Sequence, residues 1–599
     1  MSDELKHECA VAMVVLRKPP LSTAGDFGGT KLSLLLEKQH NRGQDGAGAA
    51  IVSANPEPGE TPYWMAKSAS STPLADVLGA IGKRTCKNNE RIFLGHLRYA
   101  TFGKNDVAFC HPFVHGSSEL EHTLLLAGNF NLTNARELFE DYRRSGEFPT
   151  SRADGYLVCE LIAKGLGGPT SSSSDTVATS ATLPVAAALS AALANADGAW
   201  TLCGATANGW AFATRDPHGI RPGWYYIDDS TVVVASERPA IQAAFDVPPE
   251  CVKELPPGKA LVVSPGGEVE FRSLDASRET ENGSGERPCS FERIYFSRAN
   301  DADIHRERKA LGAALVPQIL EAANAPMEDI FFSYIPNSAR IAFHGLLEEI
   351  FGKVLTQGLK VKSLPRFGEI AVKDAKFRTF IADAAARREF YKHVYDVTYG
   401  LVRPGRDTLV VLDDSIVRGN TMKNAILPML DRLGPKRIVV ASSAPPIRYP
   451  DCYGIDMSTL GELVAFKALV NLLDGERGMG NGERVLREAL EKSLHVSARS
   501  QWSQNPLAAL YDRFTEEEHC TEIARLLTPP GMKAEVKVVY QTVGNLRKCL
   551  TGYAQPPAPG SRLQIGDWYF TGEYPTPGGY KVLAKALQNH LEKKNERSY

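Results

Sequence analysis

The 599-residue sequence has no CxxC pair, no apolar run of transmembrane length and a net charge of only −2. Each absence excludes something. Ten cysteines scattered without paired spacing read as the thiols of a reduced cytosolic protein and not as a disulfide framework. A charge balance this even gives no electrostatic reason to bind nucleic acid or a membrane surface. The opening residues MSDELKHECA lack the apolar core of a signal peptide, so a cytoplasmic location is expected. No long internal repeat is visible. What is present is bulk: 43% apolar residues can fill sizeable cores, and the length suggests about two to four domains.

Residues 9 to about 265 alternate short β-like runs with loops, among them CAVAMVVL, RIFLGHL, HTLLLAG, AWTLCGAT, WAFAT and STVVVAS. Helical periods fall at 29–40, 134–143 and 155–166. Residues 168–182 (GPTSSSSDTVATSAT) are low-complexity and read as a surface insertion. A polar Gly/Pro/Ser-rich stretch, 266–288, marks a domain boundary. An α/β pattern occupies 289 to about 470, and the remainder reads as mostly helical.

Residues 409–421 read LVVLDDSIVRGNT. Leu409 to Leu412 suit a buried parallel strand. Asp413 and Asp414 stand at its end, followed by a polar turn and then by Met422, Ala425, Ile426, Met429, Leu430 and Leu433 at helical spacing. Pro428 inside that helix predicts a kink or break. Ligands of open α/β sheets bind at the carboxyl ends of strands, and a turn of backbone N–H groups there makes an anion nest. Two acids beside it can hold ribose hydroxyls or a hydrated Mg²⁺. A single acid before a helix is usually only a cap; the whole string is far more specific.

That string resembles the PRPP-binding motif of type I phosphoribosyltransferases, and DDSIVRG resembles the amidophosphoribosyltransferase family within that class. The resemblance implies PRPP contacts from Asp413, Asp414, Ser415, Val417, Arg418, Gly419, Asn420 and Thr421, where Asn420 stands for the first of the usual two threonines. KFRTFI (376–381) is similar to the family's closing loop and adds Arg378. IPNSARIAFHG (335–345) is similar to the element that makes Ser338 a Mg²⁺ ligand with Asp413 and Asp414, with Asn337 in place of the usual Asp.

Cys9 lies in HECAVAM, and a lone strand cysteine is usually a buried structural residue. The segments RGQDGAG (42–48), GHLRYATFG (95–103), AGNFNLTN (127–134) and RDPHGIRP (215–222) change that reading. In order and spacing they resemble the class II glutamine amidotransferase domain. SERPAI (236–241), CSFERIYFSRAND (289–301) and FTGEYPTPGG (570–579) extend the likeness over nearly the whole chain. The resemblance makes Cys9 the nucleophile, freed by cleavage after Glu8. It makes Asn129 and the N–H of Phe130 the oxyanion donors, with Phe130 in place of the usual Gly. Arg98, Tyr99, Thr101 and Asp154 become the glutamine-binding residues. Some members hold an iron–sulfur cluster; here Cys289 remains, Cys452 is shifted by one position and Gly566-Asp567-Trp568-Tyr569 replaces a CxxC, so no cluster is expected.

The fold expected is an α+β N-terminal-nucleophile (αββα) glutaminase domain, then an α/β type I phosphoribosyltransferase domain with a helical C-terminal extension. The expected boundaries are a propeptide at 1–8, the glutaminase at 9–270, a linker at 271–288, the phosphoribosyltransferase at 289–470 and the extension at 471–599. The implied activity converts glutamine, PRPP and water to 5-phosphoribosylamine, glutamate and pyrophosphate, the first step of purine synthesis. Mg²⁺ is the implied cofactor, purine nucleotides the implied feedback inhibitors and a homo-oligomer the implied state. Two alternatives stay open: an ammonia-dependent phosphoribosyltransferase with a dormant glutaminase, and a drifted non-enzymatic regulator. A glucosamine-6-phosphate synthase would share the first half but lack DDSIVRGNT.

Overall fold

The structure, a computed structural model, describes residues 8–18, 26–54, 56–87, 89–100, 106–167, 183–274, 285–356, 364–373, 395–478, 480–495, 505–550 and 565–594. The Ser-rich stretch 168–182, Thr101 and the 376–381 loop with Arg378 lie outside the described residues.

Strand Ala10–Leu16 is apolar on both faces because both are buried. It sits inside a seven-stranded antiparallel sheet, between Glu90–Arg98 and Thr231–Ala235. Its inner face (Val11, Met13, Val15) packs with Ile92 and Leu94 against Leu125, Ala127 and Cys203 of a second, six-stranded antiparallel sheet. Its outer face lies under helix Phe27–Lys38, which contributes Leu32, Leu35 and Leu36. Helices Asp154–Gly167 and Leu183–Leu193 cover the far side of the second sheet. The result is a helix–sheet–sheet–helix stack. Strand Val269–Ser273 closes one edge of the second sheet by pairing with Lys259–Val263, so this unit runs past the boundary expected after residue 270.

The second half centres on a five-stranded parallel sheet in the order Arg366–Phe367, Ile330–Tyr334, Thr408–Asp413, Arg437–Ser442, Glu535–Tyr540. Helices Val316–Ala323 and Arg340–Thr356 cover one face. Helices Val464–Arg477 and Glu516–Leu527 cover the other. The last strand comes from the segment expected to be mostly helical. EVKVVY hides its identity because its first half is charged and only Val538–Tyr540 are buried. At Pro428 the helix carries on in αR backbone, with a π-helical turn at Met422–Ile426 passing straight into an α-helical turn at Leu427–Asp431, so the proline is taken up by wider hydrogen bonding before it.

A buried ion network joins the two halves. Arg42 grips Glu292 with both terminal nitrogens, at 3.0 and 2.6 Å, and Glu237 with Nε at 2.7 Å. Arg221 pairs with Glu8, which also lies 3.8 Å from Arg42. All five side chains are buried. Burial pushes the Glu8 carboxyl up, against the pull of the Arg221 guanidinium. Burial also raises Glu292, but the charge and hydrogen bonds of Arg42 together with Glu8 and Arg221 outweigh it and hold that carboxyl down to about 2. At a second contact, Asp197 of the first half accepts from Gly578 N–H at 2.9 Å and Thr576 Oγ1 at 2.6 Å, seating the helix Pro577–Leu591.

Arg42→Met strands Glu237 and Glu292 without their shared cation, and we expect a loss of about 3–5 kcal/mol. Arg42→Lys recovers only part of it, because an ammonium lacks the planar fork. Urea unfolding of the full chain measures both; an unchanged midpoint for Arg42→Met would remove the joint from the stability account.

Candidate active sites

Strand alternation aims the first set of side chains. Cys9 continues the inner-face series of Val11, Met13 and Val15, so its thiol faces the gap between the sheets. Tyr99 N–H donates to the sulfur at 3.3 Å, and the thiol lies 3.8 Å from Tyr99 O. Burial pushes the thiol up to about 11, so it is protonated near neutrality. Arg98 follows Ile92, Leu94 and His96 on the same inner face and is buried, its guanidinium 5.8 Å from the Phe109 ring centroid.

Asn129 belongs to the facing sheet, in the series of Leu125 and Ala127. It is buried, and its Nδ2 has no hydrogen-bond partner among the described residues. A buried amide donor left unsatisfied costs about 1–3 kcal/mol and points to a ligand. The link to Cys9 runs through one strand: Tyr99 holds the thiol, and His96 Nε2 bonds Gly128 O at 3.0 Å, one residue before Asn129. Asp154 opens helix Asp154–Gly167 and accepts from Gly155 N–H at 2.8 Å. Burial pushes its carboxyl up to about 6.

The second set stands at the carboxyl end of the parallel sheet. Asp414 is buried, accepts from Ser415 Oγ at 2.6 Å and also bonds Ser338 Oγ. Asp413 accepts from Asp414 N–H at 2.9 Å. Burial raises both carboxyls, and the Asp414 charge raises Asp413 further. Arg308 answers that charge from helix Ala302–Ala314; burial lowers its own guanidinium to about 10. An all-oxygen set of two carboxylates and a hydroxyl suits Mg²⁺. In the turn that follows, Gly419 has φ +78°, and a Cβ there would lie 2.3 Å from Leu527. Ile416 and Val417 are buried, and Val417 O accepts from Val464 N–H at 2.9 Å. Arg418 bonds Glu462 at 2.7 Å and Asp456 O at 3.1 Å, anchoring the turn to the next helix.

Sequence reading missed His96, His111, Arg308 and the joint partners Glu8, Arg42, Arg221, Glu237 and Glu292. Several stand inside segments already singled out, but only the folded chain brings Arg42 to Glu292. Cys289 and Cys452 are both buried. Cys289 Sγ lies 3.4 Å from Tyr569 OH, and Tyr453 meets Trp568 edge-on at 4.9 Å, so aromatic rings pack this region.

A cysteine heading a central strand of an αββα stack, joined to a parallel sheet ending in paired acids, defines the class: an N-terminal-nucleophile glutaminase fold followed by a type I phosphoribosyltransferase fold. No protein-family model matches the chain. An amidophosphoribosyltransferase of Pasteurella multocida is 30% identical over 470 residues, covering 76% of this chain and 83% of that protein. Those of Escherichia coli and Methanocaldococcus jannaschii are each 28% identical, covering 71% and 72% of this chain and 78% and 83% of their own lengths. The glutamine PRPP amidotransferase of Bacillus subtilis, solved with ADP and GMP, shares the fold with a TM-score of 0.62 at 23% identity, over 95% of this chain and 97% of that one. A structure of the allosteric regulatory enzyme of purine biosynthesis gives 0.64 at 23% identity, over 95% and 96%. The chain belongs to the amidophosphoribosyltransferase family.

A thiol that ionises near 11 predicts slow alkylation of the chain that retains Glu8. Iodoacetamide labelling of Cys9, followed by peptide mass spectrometry, is expected to rise about tenfold per pH unit from 7 to 10. A plateau by pH 8 would contradict the desolvated thiol.

Proposed function

We propose that the chain converts glutamine, PRPP and water to 5-phosphoribosylamine, glutamate and pyrophosphate, the opening step of purine synthesis. The observation that carries the reading is the buried Asn129 amide, unpartnered among the described residues, at the position that continues the inner-face residues Leu125 and Ala127, in a chain whose parallel sheet ends in Asp413 and Asp414.

The thiol of Cys9 attacks the carboxamide carbon of glutamine. Charge develops on the carbonyl oxygen, where Asn129 Nδ2 and the N–H of Phe130 donate. The C–N bond breaks, the nitrogen takes the thiol proton and leaves as ammonia, and water releases glutamate from the thioester. Arg98 and Tyr99 with Thr101 orient the substrate carboxylate, for which a planar fork suits. Asp154 holds the substrate ammonium. Cleavage after Glu8 frees an α-amine of pKa about 7.7–8.0, a base matched to neutral pH that a thiol near 11 needs.

Ammonia crosses to the second site and attacks C1 of PRPP, expelling pyrophosphate. Asp413 and Asp414 hold the ribose hydroxyls, while the turn 415–421 cradles the 5′-phosphate with backbone N–H groups. Arg378 of the 376–381 loop closes over PRPP and keeps out water, which competes with ammonia. Ser338, Asp413 and Asp414 would hold Mg²⁺, which would supply positive charge against the departing pyrophosphate. We read no iron–sulfur cluster, purine nucleotides as inhibitors, a homo-oligomer and a cytoplasmic location. The glutaminase unit takes residues 9 to about 273, and the phosphoribosyltransferase unit takes 289 onward with Glu535–Tyr540 as its last strand.

One observation favours a second reading. Glu8 is built into the joint beside Arg42 and Arg221, and a chain that keeps Glu8 has no free amine at Cys9. That chain would use ammonia alone. Intact mass separates the two readings, since the first requires a polypeptide beginning at Cys9.

Pyrophosphate and glutamate release test the main reading. The processed protein is expected to use glutamine or ammonia, and Cys9→Ala only ammonia; pyrophosphate from neither donor would sink the phosphoribosyl assignment. For Asp154, ionisation near pH 6 sets the sign: below it the carboxyl is neutral and the ammonium loses its partner. The KM for glutamine is expected to climb as pH falls through 6. Asp154→Asn should raise KM roughly tenfold or more at pH 7.5 and flatten that dependence.

A further inference from the structure

Among the described residues, strand Leu124–Leu132 is paired on its outer edge only as far as Leu126, where its pairing with Phe113–His115 ends. Past that point its edge-facing backbone groups need other partners. Gly128 finds both in side chains. Its N–H donates to His111 Nδ1 at 3.3 Å, and its carbonyl accepts from His96 Nε2 at 3.0 Å. The two imidazoles stack with centroids 4.1 Å apart and planes 15° apart. They arrive from different places: His96 from strand Glu90–Arg98 of the facing sheet, His111 from the lead-in to Phe113–His115. The bonds fix the tautomers. His96 carries its proton on Nε2, and His111 leaves Nδ1 bare to accept. Burial holds His96 down to about 3 and lowers His111 too, so both rings stay neutral and the tautomers persist.

Backbone direction alternates along a strand, so the N–H groups of residues 126, 128 and 130 share one side. Phe130 therefore turns its N–H to the same open edge, two residues beyond Gly128. Its ring meets His111 edge-on, with centroids 5.7 Å apart. His111 also abuts Gly155, beside Asp154, where a Cβ would lie 3.1 Å from its ring.

We infer that His96 and His111 are positioning residues that continue, with side chains, the bonding that Phe113–His115 begins along this edge. By clamping Gly128 they fix the Asn129 amide and the Phe130 N–H at the spacing an oxyanion requires. The inference rests on the oxyanion reading given above, and neither imidazole touches substrate in it.

Crossed conservative variants test it in the processed full-length protein. Asn places an acceptor near the former Nδ1; Gln places a donor near the former Nε2. His111→Asn and His96→Gln are therefore expected to keep most glutamine-dependent turnover. His111→Gln and His96→Asn are expected to lose about 10²-fold in kcat with little change in KM for glutamine. Ammonia-dependent pyrophosphate release, read in the same preparations, should stay at the wild-type level in all four and reports folding. Equal loss within each pair, no loss in any variant, or a matching loss of ammonia-dependent turnover would each overturn the clamp. Asn129→Ala is run alongside: if it keeps glutamine turnover, the oxyanion reading itself fails, whatever the histidine variants do.

Discussion

Two arginines inside the protein decide how its halves meet. Arg42 and Arg221 are buried in the glutaminase half, yet Arg42 satisfies its fork on Glu292 of the other half. A guanidinium cannot give up its proton to escape burial, so partners had to be built around it. Glu237 and Glu292 bond Arg42 directly, and Glu8 pairs with Arg221. Such a joint accepts one geometry, because a bidentate bond tolerates little sliding. Both sites lie on elements that it holds in register. Arg42 follows the helix Phe27–Lys38 that packs on the strand after Cys9, and Glu292 begins the segment that leads to Arg308 and the acids of the parallel sheet.

The glutaminase site is then a consequence of strand alternation. Period-two placement sends Cys9, Arg98 and Asn129 into one gap from two sheets, with no loop required to reach across. Burial in that gap pushes the thiol up to about 11, and burial at the head of helix Asp154–Gly167 pushes the Asp154 carboxyl up to about 6. Low dielectric also strengthens any donor aimed at a developing oxyanion. The second site uses the opposite strategy. Its acids stand at and just past the end of strand Thr408–Asp413, beside a turn held by Arg418.

Much of this could be read from the residues. The helical periods at 29–40, 134–143 and 155–166 became Phe27–Lys38, Ala135–Arg144 and Asp154–Gly167, and the LVVLDD string became the strand with its terminal acids. Local pattern suffices where a segment is buried on a regular face. It fails where a residue's meaning lies in a distant partner. His96 looked like part of a substrate-binding motif, and its bond to Gly128 exists only once the two sheets stack. Arg42 and Glu292 are separated by 250 positions, and neither carries a mark of the other. Glu535–Tyr540 was hidden for a different reason, since an edge strand may keep charges that a central one cannot.

That last strand has a temporal side. The parallel sheet pairs Arg437–Ser442 with a partner that the ribosome delivers nearly a hundred residues later. Translation adds about 5–20 residues per second, so for several seconds the nascent sheet presents a bare hydrogen-bonding flank. The N-terminal stack needs nothing later than Ser273 for its strands, so all of it precedes that flank in the order of synthesis. The carboxyl half thus emerges after the neighbour that offers Arg42 and Arg221, and its own unpaired flank is the part of the growing chain most in need of shelter.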